Sequence, residues 1–189
     1  GSAYVLESKN PAVAPIEGRP DMHPVALLVS KLDQQDINPL ASRIGEQFKS
    51  TDVPTLYGEV FNPGNWRSGH VSLKKYAILF VTLEKRADRT QYVEHFEASD
   101  IFVWSSQLST SPERKKGKEV LNALETGKSI ELWMRRKATD GAFTYLGRVV
   151  PLSHEGSEPM LVTFRLLTPL SSDLQSRLGV QVPSTGTTE

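Results

Sequence analysis

The chain has 189 residues, and its 22 Lys and Arg are balanced by 22 Asp and Glu, so the formal net charge is zero. A basic field over the whole surface is thereby excluded, and any polyanion-binding surface must be a local cluster. The absence of cysteine excludes disulfides and thiolate zinc sites and makes a reducing cytoplasm the expected location.

The length suits one domain with a sizeable core and an appended segment. No apolar run approaches the roughly 20 residues needed to span a bilayer, so no membrane partner is expected. No secretory signal is visible. Gly1-Ser2 stands where an initiator Met would, and reads as the scar of tag removal on a fragment of a longer protein.

Residues 1–22 hold Pro11, Pro15, Gly18 and Pro20 and read as an extended arm or linker. Residues 23–50 read as a helical prelude. "HPVALLVSKLDQQ" has Pro24 near the start of an apolar run, and "NPLASRIGEQFKS" has Asn38 as N-cap, Pro39 in the first turn, and Leu40, Ile44 and Phe48 on one face. From 51 to 172 the texture becomes β-rich, giving an α+β class. "TLYGEVFNPG" reads as a strand ending in a turn, and "GHVSLKKYAILFVTLEK" as two strands. "YVEHFEASDIFVWSSQ", "SIELWMRRK", "FTYLGRVV" and "MLVTFRLL" supply further strands, with "ATDG" as a hairpin signal. Residues 173–189 read as a short helix, "SSDLQSRLG", and a frayed tail.

One long helix is expected inside the β-rich region, over 112–126. Thr110 and Glu113 have capping-box spacing, Pro112 suits the first turn, Gly117, Val120, Leu121 and Leu124 form an inward stripe, and Gly127 is a stop signal. Arg114, Lys115 and Lys118 then fall outside the stripe. Cations near a helix N-terminus oppose the helix dipole. A polyanion partner would account for them there, and a solvated face is the competing reading.

Enzyme signatures are missing. There is no phosphate-binding Gly-rich loop, no His-Glu-x-x-His and no Gly-x-Ser-x-Gly elbow, and His23, His70, His95 and His154 are dispersed. No cofactor and no metal are expected. Binding chemistry is better supplied. "YGEVFNPGNWRSGH" gathers Tyr57, Phe61, Asn62, Trp66, Arg67 and His70, rings that can stack on bases beside groups that hydrogen-bond to base edges or phosphates. Tyr57 and Phe61, four apart, also read as core on one strand face. In "FVWSSQLST", Phe102, Trp104 and Ser106 alternate against Ile101, Val103, Ser105 and Gln107. Trp104 reads as core, and Gln107 at the strand end as a bidentate group for a base or a loop backbone.

"LYGEVFNPGNWRSGHV", "FVWSSQLSTSPERKKGKEVLNALETGKSIELWMRRK" and "GAFTYLGRVVPLSHEGSEPMLVTFRL" together resemble a bacterial domain of unknown function. That domain sits at the C-terminal end of restriction proteins carrying a superfamily II helicase and a phospholipase-D-type nuclease. The resemblance covers about residues 54–170. The family pattern Phe-His-Trp-Gln-Ser-Gln-Asn-x-Thr is met by Phe102, Trp104, Ser106, Gln107 and Thr110, whereas Val103, Ser105 and Leu108 replace its His, first Gln and Asn. Its Leu-Phe-Val-Arg-Glu strand is similar to Leu132–Arg136, with Arg136 in place of the acid.

The resemblance implies a curved, open β-barrel of SRA/PUA-like (SET-and-RING-associated) type with flanking helices. It implies the target-recognition module of a modification-dependent phage-defence system, reading 5-methylcytosine or 5-hydroxymethylcytosine in double-stranded DNA by base flipping. On this reading Tyr57, Phe61, Asn62, Trp66, His70, Trp104, Ser106 and Gln107 form the base-binding set. Arg67, Ser109, Thr110, Arg114, Lys115, Lys116, Lys118, Arg135 and Arg136 hold phosphates. The reader itself has no catalytic residue. The alternative is a protein-interaction module that docks onto helicase or nuclease domains of the parent protein, which zero net charge suits. A small hydrolase or nuclease is the weakest of the three readings.

Overall fold

The apolar run Tyr76–Val81 is uninterrupted because both of its faces are covered: Ala77, Leu79 and Val81 enter one hydrophobic cluster, and Ile78 and half-buried Phe80 a second. The computed structural model describes residues 38–84 and 94–183, so the arm, the first prelude helix and the end of the tail lie outside the described residues. In chain order the elements are β1 (Gln47–Lys49), α1 (Val53–Leu56), α2 (Pro63–Trp66), β2 (His70–Ser72), β3 (Tyr76–Glu84), β4 (His95–Ala98) and β5 (Ile101–Ser105). Then follow α3 (Lys115–Leu121), α4 (Ala123–Thr126), β6 (Ser129–Lys137), β7 (Ala142–Glu155), β8 (Leu161–Leu166) and α5 (Ser172–Leu178).

The class is β-rich α+β. Eight strands form one open sheet in the order β2-β3-β6-β7-β8-β5-β4, with β1 paired to β7. All the pairings are antiparallel except β3 with β6, which are parallel. Helices α3, α4 and α5 cover the first cluster through Val120, Ala123, Leu174 and Leu178, while Leu40, Val53 and Trp66 belong to the second.

A bulge sets which side chains of β7 reach which cluster. Leu132 pairs with Gly147 but Trp133 pairs with Tyr145, so Leu146 is skipped. Gly147 takes φ +91, and a Cβ there would meet Ile44 Cδ1 at 3.0 Å. The phase change puts Tyr145 in the second cluster and both Leu146 and Val149 in the first.

Three sequence expectations are corrected. Residues 38–50 are not a helix: a 3-10 turn at Ala41–Arg43 ends before Gly45, whose φ of +92 breaks the repeat, and β1 follows. Leu40, Ile44 and Phe48 do share a destination, the second cluster, where Phe48 meets Trp133 edge-on at 5.8 Å. The stretch 55–61 is not a strand: Pro54 opens the single turn α1, and Gly58 at φ +71 follows its C-cap Tyr57. The helix expected over 112–126 starts at Lys115 and is divided at Asn122. The Thr110–Glu113 capping box does not form. Arg114 is the N-cap without a side-chain cap, because Thr110 is held in a tight turn of its own.

Candidate nucleic-acid interface

Strand β2 and helix α3 are joined by a buried carboxylate. Glu119 Oε1 lies 2.8 Å from His70 Nε2 and accepts from Ser72 Oγ at 2.9 Å, while Oε2 is 2.8 Å from Lys128 Nζ. Burial pushes the Glu119 carboxyl up, but the hydrogen bonds from His70, Lys128 and Ser72 outweigh it and bring it down to about 2. From the same helix Lys116 donates to the His70 main-chain oxygen at 2.5 Å. Burial lowers its ammonium pKa, opposed by the neighbouring Glu119.

The turn after β5 converges on the same backbone. Gln107 Nε2 donates to Ser68 Oγ at 3.0 Å, and Ser68 Oγ donates to the His70 oxygen at 3.1 Å. Ser106 is buried, accepts from Met160 N at 2.9 Å and donates to the Gln107 oxygen at 3.0 Å. Thr110 N closes the turn onto the Gln107 oxygen at 2.9 Å, and the Thr110 oxygen accepts from Glu158 N at 3.0 Å. Gln107, Leu108 and Ser109 are exposed on this turn, whereas Thr110 is buried. Thus Gln107, His70 and Lys116, drawn from three elements, meet at the segment Ser68–His70.

The basic residues divide into two groups. Arg67, Arg114, Lys115 and Lys118 are exposed on this side, with Arg114 paired to Glu158 at 2.9 Å. Arg135 and Arg136 lie at the far end of β6, about 20 Å along the strand from the Lys128 end that touches α3. Arg136 pairs with Glu84 at 2.8 Å, and Arg135 donates to Thr82 and sits over the Phe143 ring at 4.4 Å. The residues expected to hold phosphates therefore fall into two groups, one beside Ser68–His70 and one at the far end of β6.

The named rings also divide. Trp66 offers no open face for stacking: it ends α2, is 3% exposed, and packs on Tyr57 and Phe80. Trp104 is buried in the first cluster with its ring centroid 6.2 Å from that of His70. Tyr57 and Phe61 are half-buried against the second cluster. Asn62 is exposed, but its Oδ1 caps α2 by accepting from Gly64 N at 2.9 Å. Beneath Tyr57, Trp133 Nε1 donates to the Tyr57 hydroxyl at 2.9 Å. Alongside, the Tyr145 hydroxyl donates to fully buried Glu131, which Arg148 approaches to 3.4 Å. Burial pushes the Glu131 carboxyl up, partly offset by Tyr145 and Arg148. Burial pushes the Tyr57 phenol up as well, with the Glu131 charge adding to it.

Sequence reading missed Ser68, Ser72, Glu119 and Lys128. The available signal was Glu119 itself: a lone acid after Arg114, Lys115, Lys116 and Lys118, beside the inward stripe position Val120. Among the described residues no group of three or more His, Asp or Glu could hold a metal ion, and no helix is long and apolar enough to cross a membrane.

No curated protein matches the chain. Among solved structures it is similar to the SUVH5 SRA–fully methylated CG DNA complex, at 15% identity over 72% of this chain and 99% of that chain, with a TM-score of 0.49. It is likewise similar to SUVH5 SRA bound to fully hydroxymethylated CG DNA, at 14% identity, the same 72% and 99% coverage, and a TM-score of 0.47. Arabidopsis thaliana SUVH6 in complex with SAM is 12% identical over 89% of this chain and 37% of that chain, with a TM-score of 0.42. The family model described as Domain of unknown function (DUF3427) matches residues 43–178, from the turn before β1 to the end of α5, and the chain belongs to that family.

Proposed function

We propose that the chain is a DNA-binding, non-catalytic reader of a modified base such as 5-methylcytosine or 5-hydroxymethylcytosine. It would serve as the target-recognition domain of a modification-dependent restriction protein in the bacterial cytoplasm. The observation that carries this reading is the convergence of Gln107 and Lys116 on Ser68–His70, beside the exposed cations Arg67, Arg114, Lys115 and Lys118. Cations of that kind position a duplex, while an amide on a rigid turn specifies a base edge.

Within this reading the residues take different roles. Gln107 reads, and its contact to Ser68 is exchanged for the base. His70, Ser106 and Thr110 hold the rim in shape. Tyr57 and Phe61, which keep some exposure, are the rings on which an extruded base stacks; buried Trp66 supports them, and buried Trp104 backs the His70 ring. Asn62 keeps its amide N–H groups free of the capping role. Ser109, Arg67, Arg114, Lys115 and Lys118 hold phosphates, and Lys116 anchors the helix that presents them. Arg135 and Arg136 form a separate backbone contact. Extruding a base costs a few kcal/mol, which stacking and edge hydrogen bonds offset.

A titration against short duplexes differing only in cytosine, 5-methylcytosine or 5-hydroxymethylcytosine at one position, at near-physiological salt with competitor DNA, tests this. Selective tightening on a modified duplex is expected, and equal binding to all three would remove the reader role. A second reading, docking onto helicase or nuclease domains of the parent protein, is favoured by the zero net charge and by Val60, 84% exposed. It predicts no binding to any duplex.

A further inference from the structure

Leu108 is one of two large hydrophobic side chains exposed among the described residues, at 63%. It does not ride on a loose loop. The turn that carries it is closed by Thr110 N on the Gln107 oxygen at 2.9 Å. On one side Ser106 ties it to Met160 and Gln107 ties it to Ser68; on the other, Glu158 N donates to the Thr110 oxygen. One bond within the turn and three to two other segments, Ser68 and Glu158–Met160, therefore hold an unpacked apolar group outward. Its immediate neighbours Gln107 and Ser109 are polar and exposed.

Cations flank the turn. Arg114 meets Glu158, the residue bonded to Thr110, and Lys116 shares the Ser68–His70 anchor used by Gln107. A single leucine bracketed by polar side chains and cations makes a poor protein-docking patch, which needs contiguous apolar area. It suits a partner whose outside is anionic and whose inside offers flat apolar surface, which describes a stack of base pairs. Leucine is among the side chains that enter between base steps and unstack them.

The geometry points to Leu108 as an apolar wedge that enters the base stack of a bound duplex next to the base read by Gln107, an inference that rests on the DNA-reader proposal above. The rigid turn carries wedge and reader on adjacent residues, so insertion of one presents the other.

The test uses the 189-residue chain and duplexes bearing 2-aminopurine beside a modified cytosine, whose fluorescence rises when the analogue is unstacked. The wild-type chain should raise the fluorescence. L108A should weaken binding about tenfold and abolish the rise, and L108M should keep both. Because Leu108 is exposed, L108A should melt at the wild-type temperature. An L108A protein that binds as tightly as wild type, or that binds more weakly while the rise persists, would overturn the wedge and leave the reader standing. A wild-type chain that binds no duplex at all would remove the reader proposal and the wedge with it.

Discussion

Glu119 and His70, 49 residues apart in the chain, stand 2.8 Å apart in the fold, and this contact decides where the basic helix sits. The helix α3 has no side-chain N-cap. Its placement rests instead on Glu119, on Lys116 and on the fit of Gly117.

The carboxylate should make stability acid-sensitive. Glu119 is held at about 2 against its ordinary 4.5. A folded pKa below the unfolded one contributes stability that is present at neutral pH and is lost as the pH falls from about 4.5 through about 2. E119Q should flatten this acid limb in urea unfolding measured across that range. At pH 7 it should cost about 1–3 kcal/mol by leaving Lys128 without its anionic partner. An unchanged acid limb would show that other carboxylates set it.

Gly117 is required by close approach. A Cβ there would fall 1.9 Å from the Ser111 oxygen and 2.8 Å from its carbonyl carbon, both main-chain atoms. G117A should therefore cost about 1–3 kcal/mol or more as α3 is pushed off the 111 turn. Duplex affinity should fall with it, since Lys115 and Lys118 move too. Circular-dichroism melting reads the first effect and duplex titration the second, with alanine at exposed Glu125 of α4 as the control for both.

Phosphate and base contacts should separate by salt. The pair Lys115→Ala/Lys118→Ala should weaken binding to all duplexes alike and reduce the slope of log K against log salt by up to about 2, near 0.9 for each lost charge. Gln107→Ala should keep the slope and lose discrimination between cytosine and its modified form. Loss of discrimination in the lysine pair with affinity intact would reverse these roles.

The buried Glu131 should behave opposite to Glu119. Burial holds its pKa above the ordinary value, with Tyr145 and Arg148 pulling the other way. A raised folded pKa means that stability is lost as the pH rises through it. Y145F removes a donor to the charged form and should extend that loss. The gap in unfolding free energy between Y145F and wild type should be wider at pH 8 than at pH 5, reaching about 1–3 kcal/mol. An equal gap at both would show that Glu131 does not change its charge between these pH values.

Local chemistry in the sequence was enough for the strands with a complete pattern. Tyr76–Glu84, Ile101–Ser105, Ser129–Lys137 and Leu161–Leu166 carry alternation or unbroken apolar runs, and Ser171 and Gly179 bracket α5 with the cap and stop residues they spell. It also located the two segments that meet at the candidate interface, around His70 and around Gln107. Tertiary structure alone decided the rest. The 40–48 segment keeps helical spacing but bends at Gly45, because Phe48 is drawn to Trp133 and β1 pairs with β7. Trp66, offered by the sequence as a ring to stack on a base, is buried because β3 lays Phe80 against it. Arg135 and Arg136 share the sign of Lys115 and Lys118, yet the length of an extended β6 separates them from that surface. Glu119 acquires its role only when His70, Ser72 and Lys128 close around it. Residue type and spacing determine which face a side chain takes within its own element; which element covers that face is set by contacts distant in the chain, and those decide whether a ring packs or a charge is paired.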